Sequence, residues 1–281
     1  MKVEILQPKA YCAGVSRAIV IAHKAKEEHP DKEVFVLGML VHNNFVVKDL
    51  ESKGIHTAKT LEDIPDGQVV IFSAHGHKEE LNTIAEQKNL IVYDSVCPKV
   101  LNNINLIKEN LSKGHQIIYI GQSGHPEAEA CLSLSKKVIL YTNNLLENNQ
   151  LIFDDSPLVI NQTTLNILEI SEIHKAILKA FPRARLADEI CASTRLRQQA
   201  IQNIDKDVDL IIVVGDINSS NTRRLLEIAK QSHPFITSIM ISSKDELDLS
   251  LLQNKNHIVI SSGASTPEEI IDEVYNTIIN Y

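Results

Sequence analysis

Four cysteines, Cys12, Cys97, Cys131 and Cys191, are spread along 281 residues with no Cys-x-x-Cys pair among them. In a reducing compartment this pattern argues against a disulfide framework and leaves a metal site, catalysis or plain packing. Cys12 lies in Gln7-Pro8-Lys9-Ala10-Tyr11-Cys12-Ala13-Gly14-Val15-Ser16-Arg17-Ala18. An apolar run before it, Val3 to Leu6, predicts a strand, and the segment Val15 to Glu28 predicts a helix closed by His29-Pro30. A thiol at a helix N-terminus is biased toward thiolate, the form that binds iron or zinc, and Gly14 lets the backbone approach whatever the sulfur holds. Cys12 and Cys97 are 85 residues apart, Cys97 and Cys191 are 94 apart, and 90 residues follow Cys191. Three thiolates on a 4Fe-4S cluster leave one iron corner open for substrate, whereas zinc needs a fourth ligand or a water. Three unrelated buried cysteines also fit the spacing taken alone. Cys131, inside the apolar segment Ala128 to Leu134, reads as packing.

A second set of residues could hold an anion. His42, His75 and His125 each follow an apolar run and each stands near Gly, Ser or Asn. Ser219-Ser220-Asn221 precedes a helix expected from Thr222, and Thr266-x-x-Glu269 with Pro267 at the first helical position has the form of a capping box. Ordinary capping explains both. With Ser265 and the histidines they also make two helix N-termini rich in neutral donors, which is how phosphate is cradled. A chain of net charge −8 must hold a diphosphate through such local donors, because its overall field repels anions. Glu127 follows Gly124-His125-Pro126 in a first helical turn, usually a dipole partner; desolvated beside a cluster and a phosphate, its pKa would rise and it could deliver protons.

The elements that must position these residues alternate. Apolar, β-branched runs recur at Val34–Leu37, Val69–Phe72, Leu90–Tyr93, Gln116–Ile120, Val138–Tyr141, Leu158–Ile160, Leu210–Val214, Ser238–Ile241 and His257–Ile260. Between them lie helix-period segments such as Val100–Ser112, Leu165–Ala180, Thr222–Gln231 and Pro267–Asn280. This alternation predicts an α/β fold built of βαβ units with largely parallel sheets, and every candidate residue falls just after a strand, where open α/β sheets bind ligands. The near-equal cysteine spacing suggests three comparable units around one centre. Asn143-Asn144 through Ser156 is the most loop-like stretch. Apolar content of 43% and charged content of 23% are ordinary for a globular protein. No run is long enough to span a membrane, the start Met1-Lys2-Val3-Glu4 has no signal-peptide character, and the acidic balance argues against nucleic acid; a cytoplasmic location is expected.

At these residues the sequence resembles the LytB, or IspH, family of 4-hydroxy-3-methylbut-2-enyl diphosphate reductases. Tyr11-Cys12-Ala13-Gly14-Val15, Val41-His42-Asn43, Phe72-Ser73-Ala74-His75-Gly76, Cys97-Pro98, Gly124-His125-Pro126-Glu127, Gln162-Thr163-Thr164, Arg197-Gln198, Ser219-Ser220-Asn221 and Gly263-Ala264-Ser265 carry the resemblance in one collinear order. It implies three small α/β units, residues 14–97, 98–187 and 1–13 with 188–281, in a pseudo-threefold arrangement around a 4Fe-4S cluster held by Cys12, Cys97 and Cys191. It also implies diphosphate binding by His42, His75, His125, Ser219, Ser220, Asn221 and Ser265, with Thr163 near the substrate hydroxyl and Glu127 as proton donor. The implied reaction is the two-electron reductive dehydroxylation of an allylic diphosphate to isopentenyl and dimethylallyl diphosphate, the last step of the non-mevalonate isoprenoid route. Electrons would come from ferredoxin or flavodoxin, docking on Arg183, Arg185, Arg195 and Arg197 around Cys191. Several positions depart from the family pattern: Ala10 for glycine, Asn44 for arginine, Ser95-Val96 before the second cysteine, Ala192 and Leu196 after the third, and an end at Tyr281. A three-cysteine zinc hydrolase or lyase and a non-catalytic iron-sulfur sensor are the competing expectations.

Overall fold

The computed structural model describes residues 1–142, 145, 152–187 and 190–281. The loop-like stretch 143–156 falls partly outside them, and so does residue 188, where the later part of the third unit is expected to begin. The strands of the described residues are β1 (Lys2–Ile5), β2 (Val34–Leu37), β3 (Ile55–Ala58), β4 (Val69–Phe72), β5 (Ile91–Asp94), β6 (Ile117–Ile120), β7 (Val138–Leu140), β8 (Leu158–Asn161), β9 (Arg185–Leu186), β10 (Leu210–Val214), β11 (Thr237–Ile241) and β12 (His257–Ser262). The helices are α1 (Ala13–Glu28), α2 (Asn44–Ser52), α3 (Glu80–Gln87), α4 (Pro98–Ser112), α5 (Pro126–Leu132), α6 (Ile167–Ala180), α7 (Ala192–Gln202), α8 (Ser220–Ser232) and α9 (Glu268–Ile279). None of them is long and apolar enough to cross a membrane.

The strands make three four-stranded sheets, ordered β1-β12-β10-β11, β3-β2-β4-β5 and β7-β6-β8-β9, with every pairing parallel. Strands with helices over both faces bury every side chain, so β4, β6, β8, β10 and β12 are buried along their whole length. That is why they read as largely apolar runs, broken only by Asn161 at the end of β8 and by His257, Ser261 and Ser262 in β12. The edge strands β1 and β5 alternate between exposed and half-buried positions instead.

The chain divides into two compact units, Met1–Ser16 with Val41–Asp49 and Cys191–Tyr281, and Arg17–Leu40 with Leu50–Ile190. In the first, Ile212, Val214, Ile258 and Ile260 pack on Ile271, Val274 and Ile278, which recur on one face of α9. In the second, Ile117, Tyr119, Leu158 and Ile160 pack on Val100, Ile104 and Ile107 of α4, while Ile118, Ile120 and Val159 turn the other way onto Ile170 and Ile177 of α6. The second unit also holds the sheet centred on β4, whose Val70 and Phe72 meet Leu61, Ile64 and Ala85.

Five elements have no counterpart in the sequence reading: β3, β9, α2, α3 and α7. Several helix starts also shift by one or two residues, and two of these shifts bear on the candidate site. The eighth helix begins at Ser220, not Thr222, because the Ser219 side chain accepts from Thr222 N and caps the turn. The expected box at Thr266 does not form: α9 starts at Glu268 without a side-chain cap, and Thr266 Oγ1 donates to Val214 O at 3.0 Å, fixing its loop to β10.

Candidate active site

Three of the four cysteines stand at the same place on a helix. Cys97 precedes α4 with φ −60° and ψ 133°, and Cys191 precedes α7 with φ −58° and ψ 133°. Their carbonyls accept from Leu101 N and Arg195 N at 2.9 Å, as Cys12 O does from Ser16 N at the start of α1. Val15 N also points at Cys12 Sγ, 3.5 Å away. A helix N-terminus offers unpaired N–H groups and the positive end of the dipole. None of the three thiols is in a disulfide and all are half-buried; Cys12 and Cys191 belong to the first unit and Cys97 to the second.

Among the described residues no group of three or more His, Cys, Asp and Glu side chains lies close enough to grip one metal ion. A 4Fe-4S cluster makes a different demand, because each cysteine takes its own iron corner. Three unbridged thiols, each at a helix N-terminus, suit that demand. Cys131 does not: it is fully buried among Val100, Ala128 and Ile160, and burial, then the neighbouring Glu127 carboxyl, push its thiol up to about 12. It stays a neutral packing group.

The second unit carries the acid. Glu127, in the first turn of α5, is 1% exposed. Its Oε1 accepts from Thr163 N and its Oε2 from Thr163 Oγ1, both at 2.9 Å, so the loop after β8 holds the carboxyl at both oxygens. Burial pushes the Glu127 pKa up to about 7, against the lowering effect of those two bonds. An acid poised there holds a proton near neutrality and releases it readily. Glu127 N donates to Nδ1 of His125 at 3.2 Å, which leaves the proton of a neutral His125 on Nε2. His75 stands edge-on to it, ring centroids 5.7 Å apart and planes at 84°.

The first unit carries a set of donors. Ser219 caps α8, and Ser220 and Asn221 lie buried in its first turn. Neither the amide oxygen nor the amide nitrogen of Asn221 has a hydrogen-bond partner among the described residues. A buried, unsatisfied amide costs about 1–3 kcal/mol, a cost that a polar ligand would remove. Ser265 Oγ donates to His42 O at 3.1 Å, and Asn44 N donates to Asp216 Oδ2 at 2.9 Å, so the His42 segment is pinned on both sides to loops of the β10/β12 sheet. Burial and then Arg223 pull the His42 pKa down, with Asp216 opposing; the imidazole is neutral near pH 7. The floor of this set is glycine: a Cβ on Gly215, whose φ is +155°, would stand 2.7 Å from Thr222 Oγ1 and 2.8 Å from Thr266 Oγ1.

Asp216, Asn43 and Gln162 are positioning residues to which the sequence reading gave no role. Asp216 Oδ1 accepts from Asn218 N at 2.8 Å and so shapes the Ser219 loop while its other oxygen holds α2. Asn43 Oδ1 accepts from Phe45 N at 2.9 Å, an N-cap that Asn before an apolar period signals. Gln162, fully buried, accepts from Gln122 N at 3.0 Å and donates to Thr164 Oγ1 at 3.0 Å, joining the loops that carry His125 and Thr163. One expectation is corrected. Arg197 is 2% exposed and cannot meet a docking protein, whereas Arg183 and Arg185 are exposed.

Comparison with known proteins places this geometry. The family described as LytB protein matches residues 3–279. The chain is 35% identical to the 4-hydroxy-3-methylbut-2-enyl diphosphate reductase of Macrococcus caseolyticus, covering 100% of this chain and 90% of that one. It is 34% identical to the enzyme of the same name from Bacillus subtilis, over 98% of this chain and 89% of the relative. Among solved structures it is similar to the E-1-hydroxy-2-methyl-but-2-enyl-4-diphosphate reductase of Plasmodium falciparum, with TM-score 0.92, 29% identity, and 98% and 87% of the two chains covered. A structure of (E)-4-hydroxy-3-methyl-but-2-enyl diphosphate reductase, described as the terminal enzyme of the non-mevalonate pathway, matches with TM-score 0.72 and 27% identity over 100% of both chains. Spanning nearly all of its length, these matches show that the chain belongs to the LytB protein family.

Proposed function

We infer that this chain is a 4-hydroxy-3-methylbut-2-enyl diphosphate reductase, converting the allylic alcohol diphosphate to isopentenyl and dimethylallyl diphosphate. The observation that carries the reading is the shared N-cap position of Cys12, Cys97 and Cys191, three sulfurs outside any disulfide. We propose that these three hold one 4Fe-4S cluster. When bound, that cluster would supply electrons singly and an open iron that polarises the allylic hydroxyl.

The chain's own groups account for the rest. His42, Ser219, Ser220, Asn221 and Ser265, with His75 and His125, would take the diphosphate through neutral donors and a helix N-terminus. Glu127 gives a proton to the departing oxygen, so that it leaves as water. The carboxylate that results keeps both Thr163 bonds, which stabilise charge on either oxygen. Two electrons and two protons enter for each C–O bond broken, and the second proton is added to either end of the allylic carbon unit, giving two isomers. The electrons would come from ferredoxin or flavodoxin, in the reducing cytoplasm that free thiols require.

Anaerobic incubation of the iron-loaded chain with the allylic diphosphate and a strong reductant tests the assignment. Formation of the two isomeric diphosphates is expected. An unchanged substrate with a fully reduced cluster would overturn it.

A further inference from the structure

Arg197 is among the largest fully buried side chains in the molecule, and it is a cation. Its Nη2 donates to Ala10 O at 2.6 Å, two residues before Cys12. Its Nη1 donates to Ser193 O at 3.2 Å and also meets Ser193 Oγ, two residues after Cys191. The Nε–H has no hydrogen-bond partner among the described residues. Burial pulls the guanidinium pKa down, and the groups that hold it up are the sulfurs of Cys12 and Cys191. Among the described residues no carboxylate pairs with it. A buried charge with no counter-charge costs several kcal/mol, so such groups persist only beside an anion. Within this unit the sulfurs of Cys12 and Cys191 are the groups that offset the cost of burying it.

Ala10 adds to the case. Its φ of +58° is a left-handed backbone that a non-glycine residue adopts at a cost of about 1–2 kcal/mol. Two contacts hold it there: Ala10 N donates to Ser262 Oγ at 3.0 Å, and Ala10 O accepts from Arg197. The guanidinium thus ties the turn before one cysteine to the helix after another.

We propose that Arg197 is the positioning residue of the sulfur site, its buried guanidinium bridging the Ala10 turn before Cys12 and the Ser193 turn after Cys191 and setting one positive charge beside both sulfurs. This rests on Cys12 and Cys191 being ligands of the iron-sulfur group. Arg197 touches no reacting atom; it acts through the two ligands.

The test compares Arg197→Gln and Arg197→Lys with wild type, all loaded anaerobically as full chains. Loss of the local cation disfavours the added electron. At a dye-buffered potential the ratio of reduced to oxidised cluster should therefore fall at least tenfold in Arg197→Gln, equivalent to about 59 mV for one electron. Iron release to a chelator should speed up at least tenfold. Arg197→Lys keeps the charge but not the two-armed bridge, so its reduced ratio should stay within threefold of wild type while iron release still speeds up. If Arg197→Gln takes up no iron although its apo form melts cooperatively, the Lys variant carries the test alone. Loaded wild type and Arg197→Gln with the same reduced ratio and release rate overturn the role. A lower melting temperature of apo Arg197→Gln with an unmoved ratio reduces Arg197 to a packing residue and also overturns it. A wild-type chain that binds no iron overturns the underlying site instead.

Discussion

Replacing Glu127 by glutamine should separate its chemical role from its structural one. The two side chains have the same shape, and the amide oxygen can keep the bond from Thr163 N while the Thr163 hydroxyl turns to accept from the amide nitrogen. Folding is therefore preserved. The wild-type carboxyl, raised from 4.5 to about 7 by burial, holds a proton in the folded chain that the unfolded chain has already released. Stability from that proton is complete below pH 4.5 and is lost as pH rises through about 7, at about 1.4 kcal/mol per unit, or about 3 kcal/mol in all. Glutamine cannot lose a proton. Urea unfolding of the apo chain at pH 5 and pH 8 should show Glu127→Gln gaining about 2.5 kcal/mol on wild type between the two. Turnover of the loaded variant should fall by about 10²-fold or more, the range of a lost general acid. A stability difference equal at the two pH values would refute the buried-proton argument, and turnover within threefold of wild type would remove Glu127 as the acid.

Ala10→Gly should stabilise the chain by about 1 kcal/mol in the same urea assay, since glycine adopts φ +58° without the Cβ clash; a loss of stability would mean that the turn is not under strain. Double charge reversal, Arg183→Glu with Arg185→Glu, should raise the apparent KM for an acidic ferredoxin or flavodoxin several-fold and leave turnover with a chemical reductant unchanged. No change with the protein carrier would reject that patch, whose Arg183 already pairs with Asp155 at 3.3 Å.

Strands buried on both faces announce themselves, and β4 and β10 begin and end where their Val/Ile runs do. The same burial logic hides short polar edges: β9 is two exposed residues, and β3 has two exposed residues at its middle. The seventh helix, Ala-Ser-Thr-Arg-Leu-Arg-Gln-Gln-Ala-Ile-Gln, buries Thr194, Arg197 and Gln198 and so has no apolar stripe to read. Apart from its place in the Arg197-Gln198 motif, Arg197 read as a surface charge for that reason. Catalytic candidates were visible because Cys, His and Glu after strands are chemically conspicuous. Asp216 was not, since its work of holding Asn44 N joins residues 172 positions apart. Pairing at that distance is a property of the fold, not of any local pattern.

The proposed sharing of one cluster by Cys12, Cys97 and Cys191 has a direct chemical signature. Iron and acid-labile sulfide, measured per chain after anaerobic reconstitution, test it most directly. About four of each are expected in wild type and in Cys131→Ser, and a marked loss in Cys12→Ser, Cys97→Ser and Cys191→Ser alike. A single zinc per chain, or iron retained in full by any of those last three variants, would contradict it.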